Sequence, residues 1–458
     1  MDTLPILKQN AFLTVLIKDN RVFANLAFTD FLAQKTYILS DITDLSPLKF
    51  RMDDIVFNKQ FWWEYFNALE KEFDWNMVDR KWNDIFKVVP FQSEGEGISG
   101  IKVLVDDNQP FFNKIYLSLK DFSRDLAIRI VDNKYMMNLM DGLVRRLEYK
   151  DLIWIDMDLS HFTIYRSRYS GLSDSLFRRD RQMSNLEFNV SQVSWDNEIG
   201  LIDFIKNSKL QAFLSVEANS NEVIDKWANF VAHTPEYVYD LLLGDILRSF
   251  ATIQNLSIKE NNKEKLNNFG REGSAVIITG NLIPLFNKKD LLLSVIDGFE
   301  MDGIFDLFID TNNRLISYGK NLVQASQADE VFVIKRDVLP YASKVIIPEV
   351  PNKAKDKIIF SGKIMSQSFE EKNIYALNPN LDLFTIPNTT EKVVMEGDLR
   401  NGSTFPYYTN NSVSFVSGPS GVIYDSIAID CRIRPVIYGP KAEDNKIKLQ
   451  NWKDGSQE

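Results

Sequence analysis

Two short stretches carry the residue types and spacing most suited to chemistry. One reads Leu152-Ile153-Trp154-Ile155-Asp156-Met157-Asp158-Leu159-Ser160-His161-Phe162-Thr163-Ile164-Tyr165, and the other Gly273-Ser274-Ala275-Val276-Ile277-Ile278-Thr279-Gly280-Asn281-Leu282-Ile283-Pro284. Asp156 and Asp158 alternate, so on a strand they share a face and form a pair able to hold a divalent cation. The plainer role, which weighs more, is a carboxylate that ends a strand and caps the N–H groups of the turn behind it. Thr279-Gly280-Asn281 ends an apolar run with two residues that tolerate positive φ, so it reads as a tight turn. Such a turn either carries part of a ligand or simply links a strand to the next element, and the second again weighs more.

Other candidates carry less. His161 has no second histidine or cysteine beside it, and a solvent-facing or structural role outweighs that of a base. Arg432 and Arg434 alternate on an expected strand, where an exposed pair can bind a carboxylate or phosphate. Phe61-Trp62-Trp63 and Trp75 suit a binding platform, but aromatics at helical spacing are usually core.

The bulk properties exclude several classes. The chain has 458 residues, 45% of them hydrophobic, enough for two or three domains. A net charge of −10 lacks the basic footprint that nucleic-acid binding needs. With one cysteine and two histidines, zinc sites and Cys/His or Ser/His catalytic pairs are nearly excluded by count, and no internal disulfide can form. The first residues lack a basic segment followed by a long apolar run, and no stretch approaches the apolar length of a membrane span. These features set the expectation of a cytoplasmic protein with no direct membrane insertion.

The elements that must position the two stretches follow from periodicity. Residues 11–48 read as three strands, 53–74 as a helix with apolar residues at helical spacing, 101–105 as a strand and 111–148 as two helical patterns. The pattern then restarts, with strands at 152–157 and 162–167, strands near 186–195, helices between 198 and 258, and a strand at 275–279. From about 330 the texture is β-rich, with short strands at 331–334, 344–348, 357–360, 374–377, 393–395, 413–415 and 425–430, and a short helix at 446–453. The expected domains are 1–148, 149–328 and 329–458.

The first stretch resembles the phosphate-gripping strand–turn–strand of the actin, sugar-kinase and heat-shock ATPase superfamily, which reads roughly Asp-x-Gly-Gly-x-Thr-Thr. The second resembles that superfamily's nucleoside-facing segment, an apolar run followed by Thr-Gly-Gly. The segments at 291–318, 396–403 and 417–435, the last carrying Asp430, Arg432, Arg434 and Pro435, narrow the resemblance to glutamate mutase L-type (MutL-type) proteins. This resemblance implies an α/β fold of two duplicated actin-like (ribonuclease H-like) lobes followed by a C-terminal β-rich domain. It also implies that Asp156, Asp158, Thr279, Gly280 and Asn281 line a nucleotide cleft, with the turns at 18–21 and 158–161 both pointing into it.

The sequence departs from the family pattern where phosphate would sit. Asp158 and Leu159 replace the two glycines, Asn281 replaces the second glycine of its pair, and Lys18-Asp19-Asn20-Arg21 has no glycine at the first-lobe turn. A glycine turn lets N–H groups approach phosphate closely, whereas Asp158 adds a Cβ and a negative charge. The expectation is a pseudo-ATPase without cofactor, acting as a scaffold or chaperone-like protein for a protein partner. The alternatives are a divergent ATPase that uses ATP and magnesium at these residues, and a cytoplasmic platform for a membrane assembly such as a pilus or division apparatus.

Overall fold

The computed structural model describes residues 11–18, 21–30, 35–44, 59–73, 101–107, 112–122, 127–147, 149–158, 162–169, 183–189, 214, 216, 220–232, 238, 240–261, 274–318, 338–339, 342–366, 371–386, 392–406, 408, 410–417, 422–434, 444 and 447. They fall into two compact units, the first drawn from 1–143, 232–234 and 310–338, the second from 144–231, 235–309 and 339–458.

In the first unit β1 (Ala11–Lys18), β2 (Arg21–Asp30) and β3 (Lys35–Asp44) pair antiparallel. β4 (Ile101–Asp106) then joins β1 in parallel and β5 (Ala127–Val131) joins β4, giving the order β3-β2-β1-β4-β5. Leu13, Val15, Leu16 and Ile17 of β1 are all buried, as expected of a near-continuous apolar strand covered on both faces. The helix α1 (Lys59–Glu72) supplies cover through Trp62, Tyr65, Phe66 and Leu69, which recur at helical spacing and join the β1–β2 core. Trp62 donates its indole N–H to Ser118 of α2 (Phe112–Phe122) at 2.9 Å. These aromatics are therefore core, as their spacing implied, while Trp63 points outward and Trp75 lies outside the described residues. The helix α3 (Asn133–Leu147) follows β5, with Asp132 accepting the Tyr135 N–H at its start. The expected pair of helices over 111–148 thus has a strand between them, Ala127-Ile128-Arg129-Ile130-Val131, whose β-branched residues favour it.

The second unit repeats the plan. β6 (Asp151–Met157), β7 (Phe162–Tyr169) and β8 (Met183–Asn189) are antiparallel, and the helices α4 (Asn221–Ala232) and α5 (Leu241–Asn261) follow. β9 (Ser274–Thr279) lies parallel to β6, and after α6 (Lys288–Phe299) β10 (Gly303–Ile309) lies parallel to β9. The order β8-β7-β6-β9-β10 is that of the first sheet again. Three strands and then helices, twice over, is the duplicated α/β organisation expected from the sequence. α5 and α6 approach closely because Gly298 has no side chain: a Cβ there would meet the Asn255 Cβ at 2.4 Å.

Two boundaries differ from expectation. Residues 310–338 group with the first unit rather than ending the second. Asn25, a buried amide in an apolar strand, needs hydrogen-bond partners, and it finds them in Asn312 O and Ser317 Oγ, both at 3.0 Å. The residues after 339 are also not one separate module. β11 (Ala342–Ile347), β17 (Tyr424–Asp430) and β14 (Leu381–Thr385) extend the eight-stranded sheet beyond β10. β11 and β17 are largely buried, and joining the sheet satisfies their backbones. Only β12 (Ile358–Ser366), β13 (Lys372–Leu377), β15 (Val393–Leu399) and β16 (Ser412–Ser417) form a sheet of their own, in the order β13-β12-β15-β16. The strand expected at 331–334 lies outside the described residues, as does nearly all of the helix expected at 446–453.

Candidate functional site

The five residues singled out by sequence meet at the carboxyl ends of β6 and β9 in the second unit. The parallel register sets Asp156 beside Thr279. The Trp154 indole N–H donates to Thr279 Oγ1 at 2.8 Å, and the Thr279 hydroxyl donates to Asp156 Oδ1 at 2.7 Å. Since the hydroxyl oxygen accepts the indole proton, its own single proton is directed to the carboxylate. Asp158 is fully buried, and its Oδ1 accepts the backbone N–H of Asn281 at 2.9 Å.

Gly280 makes this closeness possible. Its φ is +121°, and a Cβ would lie 2.1 Å from the Met157 carbonyl oxygen. The Leu282 N–H then donates to that same oxygen at 3.1 Å. The 280–282 turn is thereby bonded to residues 157 and 158 by two backbone N–H groups, one of them through the Asp158 carboxylate. Of the two carboxylates, Asp158 does the capping, while Asp156 fixes the Thr279 hydroxyl. Among the described residues, no group of three or more His, Cys, Asp or Glu side chains comes together to hold a metal. Leu159, Ser160 and His161 lie outside the described residues.

At the equivalent hairpin of the first unit, Lys18 and Arg21 are buried rather than displayed on a surface turn. The pairing of Ile17 with Val105 brings the carboxyl end of β4, with buried Asp106, alongside Lys18. The signal for this was present in the sequence, since Lys18 directly continues the apolar run of β1, but charge alone reads as exposure. Asp19 and Asn20 lie outside the described residues.

Arg432 and Arg434 are not an exposed anion-binding pair. The Arg432 guanidinium is buried and forked between two carboxylates, with Asp297 at 2.7 and 3.1 Å and Asp430 at 2.8 Å. Arg434 also donates to Asp430. Burial by itself would raise the Asp430 carboxyl, but Arg432 and Arg434 overcome it and hold it at about 2. Asp382 on the neighbouring strand lacks such a pairing, and burial raises its carboxyl to about 6. A second buried cluster, which sequence reasoning missed, centres on Asp306. It accepts from Tyr149 at 2.5 Å and from Tyr424 and Lys344 at 2.8 Å. Burial, and then the Asp306 charge, push both phenols well above their ordinary range.

No family model matches this chain, and no characterised protein matches it in sequence. Solved structures of low similarity include a Ppx/GppA family member from Aquifex aeolicus, at 7% identity and TM-score 0.29, covering 60% of this chain and 67% of that one. The ethanolamine utilization protein EutJ from Carboxydothermus hydrogenoformans aligns at 9% identity and TM-score 0.32, over 70% of this chain and 92% of that one. Glucokinase from Balamuthia mandrillaris, solved in complex with glucose, aligns at 10% identity and TM-score 0.34, over 70% of this chain and 96% of that one. Similarity at this level decides nothing about chemistry. The duplicated strand order rests on the hydrogen bonding of this chain itself.

Proposed function

We propose that the chain is a non-enzymatic scaffold or chaperone-like partner-binding protein of the actin-like superfamily, related to glutamate mutase L-type proteins, whose nucleotide binding is lost or weak. The observation that carries this reading is the Asp158 carboxylate, buried and bonded to the Asn281 N–H. A side-chain anion is seated against the backbone donor that the resemblance assigns to a ligand, and its charge opposes a phosphate nearby. The residues at this turn therefore do not fit an ATP phosphate. Calorimetric titration with ATP and magnesium tests the reading, with no binding in the micromolar range expected. A low-micromolar dissociation constant together with turnover overturns it.

A divergent ATPase is the second reading, favoured by one observation. The ordered Trp154–Thr279–Asp156 chain holds Asp156 as an acceptor in one orientation. In that case Asp156→Asn abolishes hydrolysis while the thermal midpoint hardly moves, and a wild type with no hydrolysis above buffer ends it. A cytoplasmic location belongs to the first proposal, and a cytoplasmic platform for a membrane assembly such as a pilus or division apparatus is a separate, third reading. The relevant fact is that no helix among the described residues is long and apolar enough to cross a membrane.

A further inference from the structure

We propose that the outer edge of β16 is a docking edge for an extended peptide segment of a partner protein, one that carries basic side chains at alternate positions. The strand ends the four-stranded sheet, and no main-chain hydrogen bond joins its outer side to another segment among the described residues. Proteins ordinarily protect such edges with proline, lysine or a bulge. β16 reads Ser-Val-Ser-Phe-Val-Ser, with no charge and no proline, and its register with β15 runs without a shift. The opposite edge differs, since β13 begins at Lys372.

The side chains specify the occupant. Phe415 faces inward and packs edge-on against Tyr424, with ring centroids 5.1 Å apart, which anchors the strand to the eight-stranded sheet. On the outer face Ser412, Ser414 and Val416 are exposed, and the first two stand opposite Asp398 and Glu396 of β15. Glu396 makes no ion pair among the described residues, and Asp398 accepts the Ser412 hydroxyl at 2.7 Å and has an exposed contact with Arg400 at 3.7 Å, so its charge is not neutralised at short range. A strand added beside β16 lies roughly 10 Å from β15, two inter-strand spacings away. The serines between are short, so a lysine or arginine on the added strand reaches over them to Glu396 and Asp398. Val416, 50% exposed, lies on the same face and is covered by the aliphatic stem of a third such basic residue. Strand addition of this kind draws affinity from the main chain and selectivity from alternate side chains. A second copy of this chain meets the requirement poorly, because its own β16 has no cation to offer and each copy carries a net charge of −10. The inference does not depend on whether nucleotide binds.

The test uses the full-length chain and two fluorescein-labelled, end-blocked heptapeptides, one alternating Lys with Val and the other Glu with Val. Fluorescence polarisation is expected to show the Lys/Val peptide binding about tenfold or more tighter than the Glu/Val peptide. The difference should shrink in about 0.5 M salt. Glu396→Lys, a change at an exposed position, should remove most of the preference. Hydrogen exchange of the wild type should slow in 412–417 when the Lys/Val peptide is present. Equal affinities, no binding of either peptide, or protection elsewhere would overturn the proposal. So would a concentration-dependent dimer in sedimentation that Val416→Lys dissolves, since that result makes β16 a self-pairing edge.

Discussion

Gly280→Ala offers the most direct test of how the candidate site is built. At φ +121° an alanine is in a region that side chains rarely enter, which costs about 1–3 kcal/mol. The new methyl carbon would also sit 2.1 Å from Met157 O and 2.5 Å from both Met157 C and N. All three are backbone atoms of a central strand and cannot rotate aside. The turn must withdraw instead, which breaks the Asn281–Asp158 and Leu282–Met157 hydrogen bonds, each worth about 1 kcal/mol net. Together these give a loss of about 3–5 kcal/mol from the second unit. Urea unfolding followed by the fluorescence of Trp154 and Trp227, both buried in that unit, measures it. Gly244→Ala is the control. Its Cβ would meet nothing closer than Asp290 Oδ2 at 3.9 Å, and inside α5 an alanine is expected to be neutral or stabilising by up to about 1 kcal/mol. If Gly280→Ala unfolds within about 1 kcal/mol of wild type, the turn is not bonded to β6 as described and the account of the Asp158 cap fails with it.

Other outcomes follow from the buried charges. Arg432→Met should destabilise the second unit by about 3–5 kcal/mol in denaturant melts, because Asp297 and Asp430 lose their buried cation and keep only Arg434. For Asp382 the folded carboxyl titrates near 6 against an ordinary 3.8, so the folded state holds the proton more tightly and stability falls as pH rises from about 4 to 6. Asp382→Asn should therefore melt higher than wild type at pH 8, with the advantage fading towards pH 4; an unchanged gap across that range would refute the cause. Asp430 has the opposite sign. Its depressed value gives a contribution that is present above the ordinary carboxylate range and lost as pH falls towards 2, so Asp430→Asn should lower the melting midpoint at pH 7 and make less difference in strong acid.

The sequence alone determined those features that repeat locally or depend on a residue's own backbone preference. The strand triplets over 11–48 and from 152 to about 195 showed as apolar, β-branched runs between polar turns, and the α1 stripe showed as helical spacing, because burial of one face imposes a period. Gly280 was legible as a turn residue because only a residue without a Cβ fits such a φ. Tertiary structure decided what depends on partners distant along the chain. Nothing in Asn25 announces that Asn312 and Ser317 will satisfy its amide, so the grouping of 310–338 with the first unit was not legible. The periodicity of β11 and β17 marks them as strands without stating that they continue the second sheet beyond β10. Arg432 reads as a surface charge until Asp297, from α6, is brought against it, since charged side chains are rarely buried unless paired and the pairing is made by the fold. Asp158 was legible as a misfit in a phosphate turn. That its carboxylate is seated on the Asn281 N–H was decided by the parallel register of β6 and β9, because hydrogen bonding between strands sets which ends meet.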